Sequence, residues 1–126
     1  MNDDQTTVSE LRSTIREFVR ERDWSRFHAP KNLAMSLAIE AAELMEHFQW
    51  LDAADSRPSR LDAKQLEQIG QEIADVFAYT LALVNELDID LTGTFLAKLQ
   101  SNRAKYPVET FRGRFGKEDP NPPQSG

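Results

Sequence analysis

Two pairs of acids, Glu40 with Glu43 and Glu72 with Asp75, share one spacing, i and i+3, in segments that are otherwise apolar. On a helix that spacing puts both carboxylates on one face, a turn apart. Residues 33–51 read LAMSLAIEAAELMEHFQWL. At about 100° per residue, Ser36, Glu40, Glu43 and His47 fall in one stripe about 60° wide, and apolar side chains cover most of the rest. The later segment repeats the arrangement, with Gln65, Gln68, Glu72, Asp75 and Tyr79 aligned among Ile69, Ile73, Val76, Phe77, Leu81 and Leu83. A narrow polar stripe on an oily helix points inward. Two such helices joined by a short connection pack antiparallel, which brings both acid pairs together.

Four converging carboxylates repel one another in a poorly solvated place unless a cation offsets their charge. The chain has no Cys and only His28 and His47 as histidines, so the donors are hard oxygens. Such a set suits Mg²⁺, with Mn²⁺ as the option, and magnesium takes its remaining ligands from water and substrate phosphates. The chemistry expected is therefore phosphate chemistry. Two readings of other classes compete with it. A di-iron carboxylate bundle needs Glu-x-x-His on two helices, but His47 follows Glu43 by four and the second acidic segment has no His. A non-enzymatic helical module would instead use the acid stripes to meet a partner's cations. One acid pair alone is commonly a solvated face; two pairs in phase on two apolar helices favour a site.

The elements that must hold these acids are helical. Thr7 and Glu10 have capping-box spacing, and Val8, Leu11, Ile15, Phe18 and Val19 follow at helical intervals. Pro30 suits the first turn of a second helix running to about Leu51. Ser59 is placed to cap a third helix from about Leu61 to Leu87, and Asp88 or Asp90 to start a fourth that Pro107 must end. No strand-like alternation is visible. The fold class expected is all-α and four-helix-bundle-like, with helices two and three antiparallel and carrying the acidic site. Residues 1–106 read as one domain, and the Pro- and Gly-rich stretch 107–126 as an extended or disordered tail.

Composition narrows the partners. With 126 residues one domain is the natural size, and a net charge of −6 argues against binding a nucleic-acid backbone. The absence of Cys excludes a disulfide frame and a thiolate nucleophile. The opening MNDDQTTVSE is acidic and polar, and no run of about 18 apolar residues follows, so a soluble, cytoplasmic protein without a membrane partner is expected. Helix two is apolar on almost every side, with Met35, Ile39, Ala42 and Trp50 left over once one face is packed, which points to a homo-oligomer.

These residues resemble a known family. Glu40-x-x-Glu43 followed by Glu72-x-x-Asp75 is similar to the paired-acid signature of the all-α nucleoside triphosphate pyrophosphohydrolases, the MazG-like superfamily. Within it the segments 21-ERDWSRFHAPKNLAMSL-37, 48-FQW-50, 72-EIADVFAYT-80 and 98-KLQSNRAKYP-107 most resemble the dCTP pyrophosphatase branch. The stretch 111-FRGRFGKEDP-120 matches that family's basic end only loosely, since Glu118 follows Lys117. The resemblance implies hydrolysis between the α- and β-phosphates of a deoxynucleotide, dCTP or a modified dCTP in preference, with dUTP-preferring or broad house-cleaning activity as the alternative. It implies metal ligation by Glu40, Glu43, Glu72 and Asp75 and a tetrameric assembly. A base pocket from Trp24, His28, Trp50 and Tyr79 is expected on the same ground. Near the end of helix four Lys98, Arg103 and Lys105 are the candidates to meet the triphosphate, with a hydrogen bond from Asn102 and a substrate contact from Tyr106.

Overall fold

The computed structural model describes residues 1–113, and every regular element among them is helical. The first helix, α1 (Val8–Glu21), opens as its sequence predicts. Thr7 Oγ1 accepts from the Glu10 backbone N–H at 3.1 Å, and the Glu10 carboxylate accepts from the Thr7 N–H at 2.6 Å. Its end is less ordinary. Asp23 adopts a left-handed φ of 51°, and the N–H groups of Asp23 and Trp24 donate back to the carbonyls of Arg20 and Val19, each at 3.1 Å. This is the closure that glycine usually makes; Asp is among the few residues that tolerate it. The turn delivers Trp24 onto the side of α1.

A 3-10 turn, Ser25–Phe27, leads into α2 (Pro30–Glu46), with Pro30 at the first helical position as expected. The helix stops short of Leu51. Phe48 and Gln49 both donate to the Met45 carbonyl, at 2.9 and 3.0 Å, and Leu51 donates to that of Phe48, so the chain leaves the helix in tight turns. The third helix, α3 (Ala63–Glu86), is capped by Asp62 and not by Ser59. Pro58 starts a 3-10 turn, Pro58–Arg60, that absorbs Ser59. Asp62 then accepts from the Gln65 N–H at 2.7 Å, while Gln65 Oε1 accepts from the Asp62 N–H at 2.9 Å. The far end of α3 repeats the device at the end of α1, with Asp88 at φ 52° and the Ile89 N–H donating to the Val84 carbonyl at 3.0 Å.

Residues 1–89 form one compact unit. Its centre is small: Val19 of α1, Leu33 of α2, and Ile69, Leu81, Ala82 and Val84 of α3 are buried, Leu33 most completely. Helices α2 and α3 pack directly on each other, and they run antiparallel, since Ser36 shares a recess with Tyr79 whereas Glu40 and Glu43 meet Glu72. Both helices keep large apolar side chains outside, among them Met35, Ile39, Met45, Ile73 and Phe77.

The second unit begins at Asp90, the N-cap of α4 (Leu91–Lys105). Where an extended tail was expected from Pro107, residues Val108–Phe111 instead make a short helix, α5, with Pro107 as its N-cap. The Tyr106 and Phe111 rings meet edge to face at 5.1 Å, which folds the chain back on itself. The expectations for Lys117 and the rest of the tail fall outside the described residues. No helix among the described residues is long and apolar enough to cross a membrane.

Candidate active site

The acidic stripes meet. Carboxylate oxygens of Glu40 and Glu43 on α2 and of Glu72 on α3 lie within 4.8 Å of one another. Glu40 Oε2 and Glu72 Oε2 are both enclosed by protein, and neither has a hydrogen-bond partner. A buried oxygen without a donor costs about 1–3 kcal/mol, more when charged, so the arrangement is unfavourable as it stands. Burial first, then the neighbouring Glu43 carboxyl, with further contributions from Glu72 and Asp75, push the Glu40 carboxyl up to about 7. An ion between the oxygens would remove both penalties at once. Three oxygen donors without sulfur or imidazole fit a hard divalent cation.

Asp75 stands differently. Its charge reaches Glu40, but its carboxylate is outside the close set of three, and it lines an adjoining cleft of about 400 Å³. The walls of that cleft are apolar: Ile15, Phe18 and Val19 from α1, Trp24 from the turn after it, and Ala78, Tyr79 and Ala82 from α3, with His28 as the other polar group. A smaller recess of about 200 Å³ shares Trp24, His28 and Tyr79 and adds Phe27, Asn32, Leu33 and Ser36. Three of the four residues expected to make a base pocket therefore come together beside the acids. The Phe18 and Trp24 rings meet edge to face, 5.7 Å between centroids, and the Arg22 guanidinium lies over the Phe18 ring, 3.9 Å from its centroid.

Trp50 is the exception: 88% exposed, it lines neither of these hollows within the chain. Lys98, Asn102, Arg103 and Tyr106 belong to the second unit, on α4 and its C-cap. Asn102 is half-buried there, whereas Lys98, Arg103 and Tyr106 are exposed. The sequence reading missed Ile15, Phe18 and Asn32 as cleft residues. Ile15 and Phe18 carry the helical spacing of an ordinary core face, so nothing in the pattern separates a wall from a core; Asn32, at a helix start, reads as an ordinary polar residue.

Comparison with known proteins agrees with this geometry. Residues 35–115 match the model of the MazG-like family. Rat dCTP pyrophosphatase 1 is 37% identical over 109 residues and the human protein of that name 34% identical over 108; each match covers 86% of this chain. The chain spans 64% of the length of these mammalian relatives. The crystal structure of a pyrophosphatase from Archaeoglobus fulgidus superimposes with a TM-score of 0.74 at 36% identity, over 85% of this chain and 98% of that one. The chain belongs to the MazG-like family, and the resemblance drawn from its paired acids holds.

Proposed function

We propose that the protein is a Mg²⁺-dependent nucleoside triphosphate pyrophosphohydrolase that cleaves between the α- and β-phosphates of dCTP or a modified dCTP. The products are the monophosphate and pyrophosphate. The observation that carries this reading is the juxtaposition of a carboxylate cluster with orphaned oxygens and an aromatic cleft of nucleoside size. The names of the mammalian relatives support the choice of base.

In this reading Glu40, Glu43, Glu72 and Asp75 hold the metal, Mg²⁺ with Mn²⁺ as a substitute. A bound divalent ion supplies positive charge for phosphate oxygens and acidifies a water. The chain's own residues do the rest. Glu40 keeps its proton up to about pH 7 without a cation, so its deprotonation is linked to loading of the site. Trp24 and Tyr79 offer flat faces on which a base stacks, and His28 offers the polar edge that distinguishes one base from another. Lys98, Arg103 and Lys105, with Asn102, are assigned to the phosphates, Tyr106 to a further substrate contact, and residues 1–106 to the catalytic domain.

The assembly in this proposal is a homo-oligomer, a tetramer built as a dimer of dimers, working in the cytoplasm. Exposure of Met35 at 56%, Ile39 at 58% and Trp50 at 88% supports it, because a second copy would remove these surfaces from water. Trp50 keeps its base-pocket assignment only within such an assembly. The experiment that tests the whole reading is pyrophosphate release from a panel of deoxynucleoside triphosphates with and without Mg²⁺. Release from dCTP that stops on chelation is expected. Preference for dUTP, or equal rates on all bases, would move the substrate assignment; no release from any would end it.

A further inference from the structure

Among the described residues, every side-chain hydrogen bond that joins residues more than four apart in sequence converges on Arg12 and Asn85. Arg12 Nε donates to Asn85 Oδ1 at 2.9 Å, Nη1 to the Ile89 carbonyl at 2.7 Å and Nη2 to the Val84 carbonyl at 3.3 Å. Asn85 Nδ2 returns a bond to the Arg12 carbonyl at 3.0 Å, and Arg16 Nη2 also donates to Asn85 Oδ1, at 3.1 Å. The guanidinium thus shares the Val84 carbonyl with the Ile89 N–H and takes up the Ile89 carbonyl just beyond α3, and a planar fork does so in one orientation only.

We propose that this joint is a positioning device for the aromatic cleft: it sets the register of α1 along α3 and thereby the placement of Phe18 and Trp24 against Tyr79 for the nucleotide base. The assignment of the cleft to a base rests on the function proposed above. Apolar contact does not set register by itself, since it is non-directional, and Val19 is the sole buried residue of α1. Hydrogen bonds are directional. Ile15 and Phe18 follow Arg12 on α1, Ala82 precedes Asn85 on α3, and all three line the cleft. The turn at Asp23 ties the Trp24 backbone to Val19, and the Trp24 ring leans on Phe18, so a slip of α1 moves the two aromatic residues as one body. A recess of about 240 Å³ bounded by Arg16, Asn85 and His28 lies between joint and cleft, so His28 faces both.

The test uses the full chain labelled with 5-fluorotryptophan. With two tryptophans it shows two ¹⁹F resonances, and Trp24→Phe assigns one of them. Asn85→Leu and Arg12→Ala are expected to displace or split the Trp24 resonance. They should also raise KM for the best nucleotide at least about fivefold while kcat stays within roughly twofold. Asn85→Asp keeps the acceptor for both arginines but loses the donor to the Arg12 carbonyl, so it should raise KM less than Asn85→Leu does. A lowered Tm with an unmoved Trp24 resonance and an unchanged KM would overturn the proposal, because that is what a merely stabilising contact gives. If Arg12→Ala fails to fold, Asn85→Leu and Arg12→Lys are read by the same criteria. A wild-type protein that hydrolyses no nucleotide would defeat the proposed function, yet the ¹⁹F measurement would still decide whether the joint sets the cleft.

Discussion

The two polar clusters of the first unit are built on opposite principles. At the joint between α1 and α3, donors outnumber acceptors in charge but not in geometry: the three donor nitrogens of Arg12, and both ends of the Asn85 amide, have partners. Between α2 and α3 there are only carboxyl groups, which once ionised are acceptors of like charge, and two of their oxygens have no partner. A satisfied network holds a fold together, whereas an unsatisfied one that persists in a folded chain implies a ligand the chain does not itself supply. The contrast separates structure from function without reference to any relative.

The sharpest way to break that contrast is to neutralise the acids. Glu40→Gln, Glu43→Gln, Glu72→Gln and Asp75→Asn are each expected to lower turnover by at least about a hundredfold, because every ligand contributes to positioning. The metal-free proteins should melt no lower than wild type, since a repulsion has been removed. Two of the four retaining wild-type rates with folded spectra would sink the site assignment.

Protonation gives the next largest effect. The folded Glu40 carboxyl titrates near 7, above its ordinary value of 4.5, so the metal-free folded state binds the proton more tightly than the unfolded chain does. The contribution of Glu40 to the stability of the apo protein is therefore fully present below about 4.5, falls as pH rises between the two values, and levels off above about 7. Metal affinity must run the other way, rising with pH through the same window, because a cation displaces that proton. Thermal melts in chelator and calorimetric titrations with Mg²⁺ across this range should show slopes of opposite sign. A flat apo profile would mean that Glu40 titrates as an ordinary exposed acid.

At the joint the sign of a deletion should reverse. Arg12→Ala strands the Ile89 carbonyl in a half-buried place and takes one of two donors from Asn85 Oδ1 and from the Val84 carbonyl, and is expected to cost about 1–3 kcal/mol in denaturant unfolding. An Arg12→Ala protein as stable as Glu40→Gln would erase the distinction between the clusters. The smallest effect belongs to the paired side chains of Arg20 and Glu17, which are exposed on α1. Arg20→Ala should leave the melting temperature unchanged within error, since water screens such a pair.

Much of this was readable in the chain itself. Local rules are enough for the Thr7–Glu10 cap, for Pro30 at a helix start and for the phase of Glu40, Glu43, Glu72 and Asp75, because each depends on residues within a few positions of one another. The errors were local too: Pro58 drew Ser59 into a 3-10 turn and left the cap to Asp62, and tight turns after Met45 ended α2 early. What no spacing rule contains is the distance between helices. Only tertiary packing brought Glu72 against Glu40 and Glu43 while leaving Asp75 in the cleft, turned Ile15 and Phe18 from core face into cleft wall, and left Trp50 in solvent. It also matched Arg12 to Asn85 across more than seventy residues. The reason is physical: a helical period sets the direction in which a side chain leaves its own axis, whereas the partner it meets depends on the register and rotation of a neighbouring helix.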